Sequence, residues 1–149
     1  MTEILFYHLE RATLENVLTG LLEKILQRDW KAVVRATSRE RLEALDNHLW
    51  TYRDEAFLPH GIEGKGAAHP VWLTTGDDMP NAPQLLFLVD GAEADPTEIS
   101  DLERCVMIFD GHDEPSVMRA REFWKATAAM GHDVTYWKQS DSDRWEKQG

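Results

Sequence analysis

Three residues toward the carboxyl end, Arg121, Trp124 and Lys125, have the types and spacing to grip a carboxylate beside an apolar group. At about 100° per residue, Val117, Arg121, Trp124, Lys125 and Ala128 share one face of a helix, with the two cations flanking the indole one turn apart. Such a face suits a peptide with a carboxylate and a hydrophobic side chain. The guanidinium would supply charge-assisted hydrogen bonds and the indole the apolar contact. A structural reading stands beside it, in which Trp124 is core and the cations lay their stems around it. A neighbouring face of Ser116, Ala120, Phe123, Thr127 and Met130, with Ala126 at its edge, is what a helix laid on a sheet requires.

Other candidate chemistry is sparse. Asp90 and Asp110 each end an apolar run just before Gly. Strand ends of that kind carry ligand and catalytic residues in doubly wound sheets, but Asp-Gly is equally a turn dipeptide. The run from Gly61 to Gly66, GIEGKG, lacks the spacing of a phosphate loop, and no Ser or Thr follows its Lys65. His60 and His69 have no companion at metal-ligand spacing. Cys105 lies inside CVMIF, which reads as an inert buried thiol. No catalytic residue, metal site or cofactor is expected from these patterns.

Charge bounds the partners. The chain of 149 residues carries −11, with 27 Asp and Glu against 16 Lys and Arg, yet Pro115–Lys138 is net positive. A positive island on an acidic chain fits a short anionic partner rather than a DNA or RNA backbone, which several cations must neutralise. The single cysteine excludes an internal disulfide framework and suits a reducing cytosol. The start, MTEILFYHLE, carries acid where a secretory leader carries positive charge. Apolar runs such as LLFLV are too short to span a bilayer, so no membrane contact is expected.

The elements that must position these residues alternate. Strands are predicted at Ile4–Tyr7, Lys31–Thr37, Val71–Thr74, Gln84–Val89, Cys105–Phe109 and Asp133–Trp137. Helices are predicted over Ala12–Gln27, with Thr13 as a cap, from Ser38 onward, and from Asp113-Glu114-Pro115 to Gly131. A helical turn led by Pro96 covers Thr97–Leu102. This rhythm predicts an α/β single domain over 1–149, with a mostly parallel central sheet and helices on both faces. It is related to nucleotide-binding folds but has no phosphate loop. Residues 139–149 read as a polar, frayed tail.

In order along the chain, FYHLE and the helix ending QRDWKAVV, then LDNHLWTYRDEAFLPHGIEGKG, then RAREFWKATAAMGHDVTYWK give a sequence that resembles the chi subunit of bacterial DNA polymerase III holoenzyme. The resemblance implies a cytoplasmic, catalytically empty accessory subunit of the clamp-loader complex of a DNA-directed DNA polymerase. That subunit is a nucleotide-binding relative that bridges two proteins and meets DNA only indirectly. One implied partner is the psi subunit, in a 1:1 heterodimer with Phe57 and Leu58 in the contact. The other is the acidic C-terminal tail of single-stranded DNA-binding protein, gripped by Arg121 with Trp124, Lys125 and Trp50 around it. The family's further basic residue, one turn before Arg121, is Val117 here. A generic α/β adaptor for another acidic peptide, or a small nucleotide-binding enzyme using Asp90 or Asp110, is the alternative.

Overall fold

The computed structural model describes residues 2–10, 12–51, 60–61, 70–76, 79, 83–95, 97–139 and 145–148. Its strands are β1 Glu3–Leu9, β2 Ala32–Arg35, β3 His60–Gly61, β4 Val71–Thr74, β5 Leu85–Leu88, β6 Arg104–Asp110, β7 Asp133–Gln139 and β8 Trp145–Gln148. The helices are α1 Leu14–Gln27, α2 Arg39–Thr51 and α3 Glu114–Ala129, with a 3-10 turn at Glu98–Asp101. One sheet runs β3-β4-β2-β5-β6-β1-β7-β8, parallel throughout except where β8 lies antiparallel on β7. The predicted α/β class and mostly parallel sheet are therefore the observed ones.

Alternation along each strand sends side chains to two separate cores. On one face α1 and α2 set Leu18, Leu22, Ile25, Leu42 and Leu45 against Val34, Leu73, Phe87 and Ile108. On the other, α3 and the 3-10 turn set Ala120, Phe123 and Ile99 against Ile4, Phe6, Leu86 and Met107. Phe6 and Phe87 are fully buried, and burial of such a ring contributes roughly 1.5–3 kcal/mol. The central strands read as continuous apolar runs because both of their faces are covered. Cys105 is among them, its thiol pushed up to about 12 by burial, so it is chemically quiet.

The helix starts follow the expected caps. The Thr13 hydroxyl accepts from Asn16 N at 3.2 Å, the Ser38 hydroxyl from Arg41 N at 3.2 Å, and Asp113 Oδ2 from Ser116 N at 3.2 Å. Gly131, at φ 85°, ends the third helix in the left-handed conformation glycine tolerates.

Two strands depart from expectation. His60–Gly61 pairs with β4 over only two residues, too short for any periodicity to reveal. Trp145–Gln148, expected as part of a frayed tail, pairs with Tyr136–Gln139. Its anchor is Trp145, whose ring meets Tyr7 edge-on at 5.3 Å between centroids.

A candidate docking face on the last helix

The third helix lies on the sheet by way of Ala120, Phe123 and Thr127, all buried. Thr127 Oγ1 donates to the Phe123 carbonyl at 2.7 Å, which lets a polar side chain occupy that core position. The predicted inward face is observed for these residues and stops short of Met130 and Ala126, both exposed. Met130 is the C-cap, already past the last helical turn, so its direction follows the chain reversal rather than the helix period.

The face predicted to bear the site straddles the boundary between core and solvent. Val117 and Trp124 are half-buried against the core, whereas Arg121, Lys125 and Ala128 are exposed. The Trp124 indole sits tilted over Phe6 at 5.4 Å and edge-on to Tyr136 at 5.7 Å. One side of the Trp124 ring packs on the core and the rest remains accessible. Arg121 and Lys125 make no hydrogen bond or ion pair among the described residues. No described acid holds the guanidinium or the ammonium.

Sequence reasoning missed the wall behind this face. Tyr136 stacks on Phe6, and its hydroxyl lies 2.6 Å from His8 Nδ1. His8 Nε2 is 2.9 Å from Glu10, which also meets His112 at 3.3 Å and Lys138 at 3.6 Å. Burial raises the Tyr136 phenol above its ordinary value, the Arg121 charge partly opposes this, and Glu10 adds to it. Burial likewise lowers the His8 pKa; Glu10 works against that shift and Lys138 with it. The signal was present as strand alternation: Phe6 and His8 share one face of β1, and Val134 and Tyr136 share the same face of β7. Met118, 60% exposed one turn before Arg121, was also missed. It adds a flexible apolar surface beside the cations.

Trp50 lies in the last turn of α2. That helix packs through Leu42 and Leu45 on the α1 side of the sheet, opposite Phe123 and Trp124. Phe57 and Leu58 lie outside the described residues.

The aspartates at strand ends border a crevice of about 460 Å³ between β1 and β6, lined in part by Thr37, Arg41, Asp90, Asp110 and Arg119. The chain leaves β1 over one face and β6 over the other, so this is the sheet's topological switch point. Asp90, at φ 52°, accepts from Arg41 Nε at 2.9 Å, and Arg41 Nη2 also donates to Glu15 at 3.1 Å. Asp110 accepts from His112 N at 2.9 Å, and Asp113 caps α3. Asp90 is thus held by Arg41, Asp110 braces a turn and Asp113 caps a helix. Among the described residues no group of three His, Cys, Asp or Glu is placed to hold a metal ion, and no helix is long and apolar enough to cross a membrane.

Comparison with known proteins gives a consistent answer. The chain is 27% identical over 104 residues to a protein of Rickettsia prowazekii described as a probable DNA polymerase III subunit chi, covering 68% of this chain and 60% of the relative. It is 30% identical over 90 residues to the DNA polymerase III subunit chi of Pseudomonas aeruginosa, covering 58% of this chain and 63% of the relative. The chain thus spans somewhat less than two thirds of each relative's length. Residues 1–135 match the family described as DNA polymerase III chi subunit, HolC. That match runs from β1 through α3 into β7, and this chain belongs to the DNA polymerase III chi subunit family.

Proposed function

We propose that this protein is an accessory, non-catalytic subunit of a bacterial DNA polymerase III assembly. It ties the psi subunit of the clamp loader to the acidic C-terminal tail of single-stranded DNA-binding protein in the cytoplasm during replication. Family membership supports the polymerase association. One observation carries the tail contact: Arg121 is exposed and unengaged by any described acid, directly beside the half-buried indole of Trp124.

Arg121 donates to the terminal carboxylate of the tail, Lys125 adds charge one turn on, and Trp124 with Met118 shelters the terminal apolar side chain. A small, charge-assisted peptide contact of this kind is weak and salt-sensitive. Many tails gathered on one DNA strand raise its effective strength without new contacts. The acidic remainder of the chain keeps DNA contact indirect. Psi binds in a 1:1 heterodimer through Phe57 and Leu58.

Titrating a tail peptide against Arg121→Ala tests the reading. Loss of a hydrogen bond to a charged group costs about 1.5–3 kcal/mol, so affinity falls tenfold or more while the melting temperature holds. An unchanged dissociation constant removes Arg121 from the site. Phe57→Ala should weaken co-purification with psi and leave tail binding intact; loss of both reports misfolding.

A further inference from the structure

The opposite side of β7 carries a second basic and aromatic surface that the proposed bridging role does not use. A groove of about 420 Å³ runs between α1 and the sheet, lined by Tyr7, Val17, Gly20, Leu21, Trp137 and Trp145, with Lys24 at its rim. A narrower continuation of about 70 Å³ shares Tyr7, Leu21 and Lys24 and leads to Arg28 and Arg104. Both guanidinium groups sit over the Trp30 ring, at 5.5 and 5.3 Å. The groove's two tryptophans come after residues 1–135, the stretch that matches the family.

Three observations say that something covers this groove. Parallel sheets normally bury both faces under helices. Here α3 covers one face of the β1–β7 region, while among the described residues only the flank of α1 approaches the other. Second, α1 is apolar over more of its surface than the sheet uses: Val17 and Leu21 form a half-buried stripe beside the buried Leu14, Leu18, Leu22 and Ile25. Third, Gly20 stands mid-helix, where glycine costs roughly 0.5–1 kcal/mol relative to alanine. A Cβ added there would meet nothing within 4 Å. Among the described residues no contact explains that glycine, but close approach of another chain to the helix backbone does.

Charge selects the occupant. Among the described residues, none that lines the groove or its continuation is acidic, although acids outnumber bases 27 to 16 in the chain. Lys24, Arg28 and Arg104 face it, and Lys147 joins the Trp137 face by register. One of these cations, Arg104, also holds Glu3 at 3.1 Å. A second copy of this chain brings −11 of like charge and a long polyanion meets the same field, so both are disfavoured. We propose that the groove receives an acidic amphipathic helix of a partner protein, laid beside α1 with its apolar seam on Tyr7, Trp137 and Trp145.

The test uses a labelled model helix of eighteen residues with a leucine seam and glutamates on its other face. The titration is repeated with a lysine-faced counterpart and with oligo-dT. Wild-type protein should bind the glutamate helix saturably at about 100 µM or better, and the other two at least tenfold more weakly. Gly20→Leu fills the groove at an exposed helical position, and Lys24→Glu reverses its rim charge. Each should weaken binding at least tenfold while keeping the wild-type melt. Arg121→Ala should bind the helix as wild type does, so failure of the α3 site and failure of the groove are separable. Absence of binding, equal binding of the lysine helix or oligo-dT, or indifference to both variants overturns the proposal. So does a wild-type dimer, seen by light scattering, that Gly20→Leu dissolves, since a second copy would then be the occupant.

Discussion

The two tryptophan-bearing surfaces stand back to back across β7, with Tyr136 facing the last helix and Trp137 facing the groove. Beneath the helix the aromatic groups form a layer already filled from within: Phe6, Phe123, Trp124 and Tyr136 pack on one another, and the cations ring the outside. In the groove Tyr7 and Trp145 meet each other edge-on, and their remaining surface forms a lining. The difference teaches how one strand can serve two kinds of contact. A filled aromatic layer offers a shallow, charge-led grip for a short terminus. An unfilled one offers length and apolar area to an extended element.

The largest expected effect separates the two surfaces directly. Phe6→Ala removes the ring under Trp124 and Tyr136 and should cost about 3–5 kcal/mol in urea unfolding. In the folded variant, Trp124 and Tyr136 NMR signals should move while Trp145 signals hold. If Trp145 moves equally, the surfaces are one unit.

Gly111→Ala comes next. An added Cβ would overlap the His8 ring and approach the Leu9 carbonyl at 2.8 Å, so backbone must shift. A loss of about 1–3 kcal/mol is expected, with Tyr136 losing its His8 partner. Wild-type stability would show that His8 swings aside freely.

Gly20→Ala should act oppositely, raising stability by about 0.5–1 kcal/mol, since no described residue obstructs the added methyl. Thermal melts decide this, and a decrease would mean the glycine already serves an internal contact.

The smallest effect is a pH dependence. The folded His8 has a lowered pKa, so the unfolded chain binds the extra proton first as pH falls. Stability is fully present above the ordinary histidine value of about 6.5 and is lost as acidification proceeds through the lower folded value. His8→Gln should flatten that portion of the stability profile. An unaltered profile assigns the dependence to another group.

Much of this architecture was legible in the chain. The strand runs, the caps at Thr13, Ser38 and Asp113 and the stop at Gly131 are local signals, and each lies where local chemistry puts it. Strand order was not legible, because pairing of Glu3 with both Arg104 and Asp133 depends on contacts far apart in sequence. For the same reason helical spacing put Trp124 on the correct helix without revealing that Phe6 and Tyr136 half-cover it. Nor could it reveal that Trp50 rides a helix of the other face. The last strand escaped because its single large anchor, Trp145, follows a polar run whose composition resembles a tail.

Strand β1 lies between β6 and β7, whose partner residues are more than a hundred positions away. During synthesis ILFY therefore emerges long before either neighbour exists, an apolar ribbon with two open edges. Such long-range closure makes folding slow and exposes the nascent chain to aggregation. Strand β1 is satisfied only once both later strands have been made, and holding it apart from other chains until then is work for a chaperone.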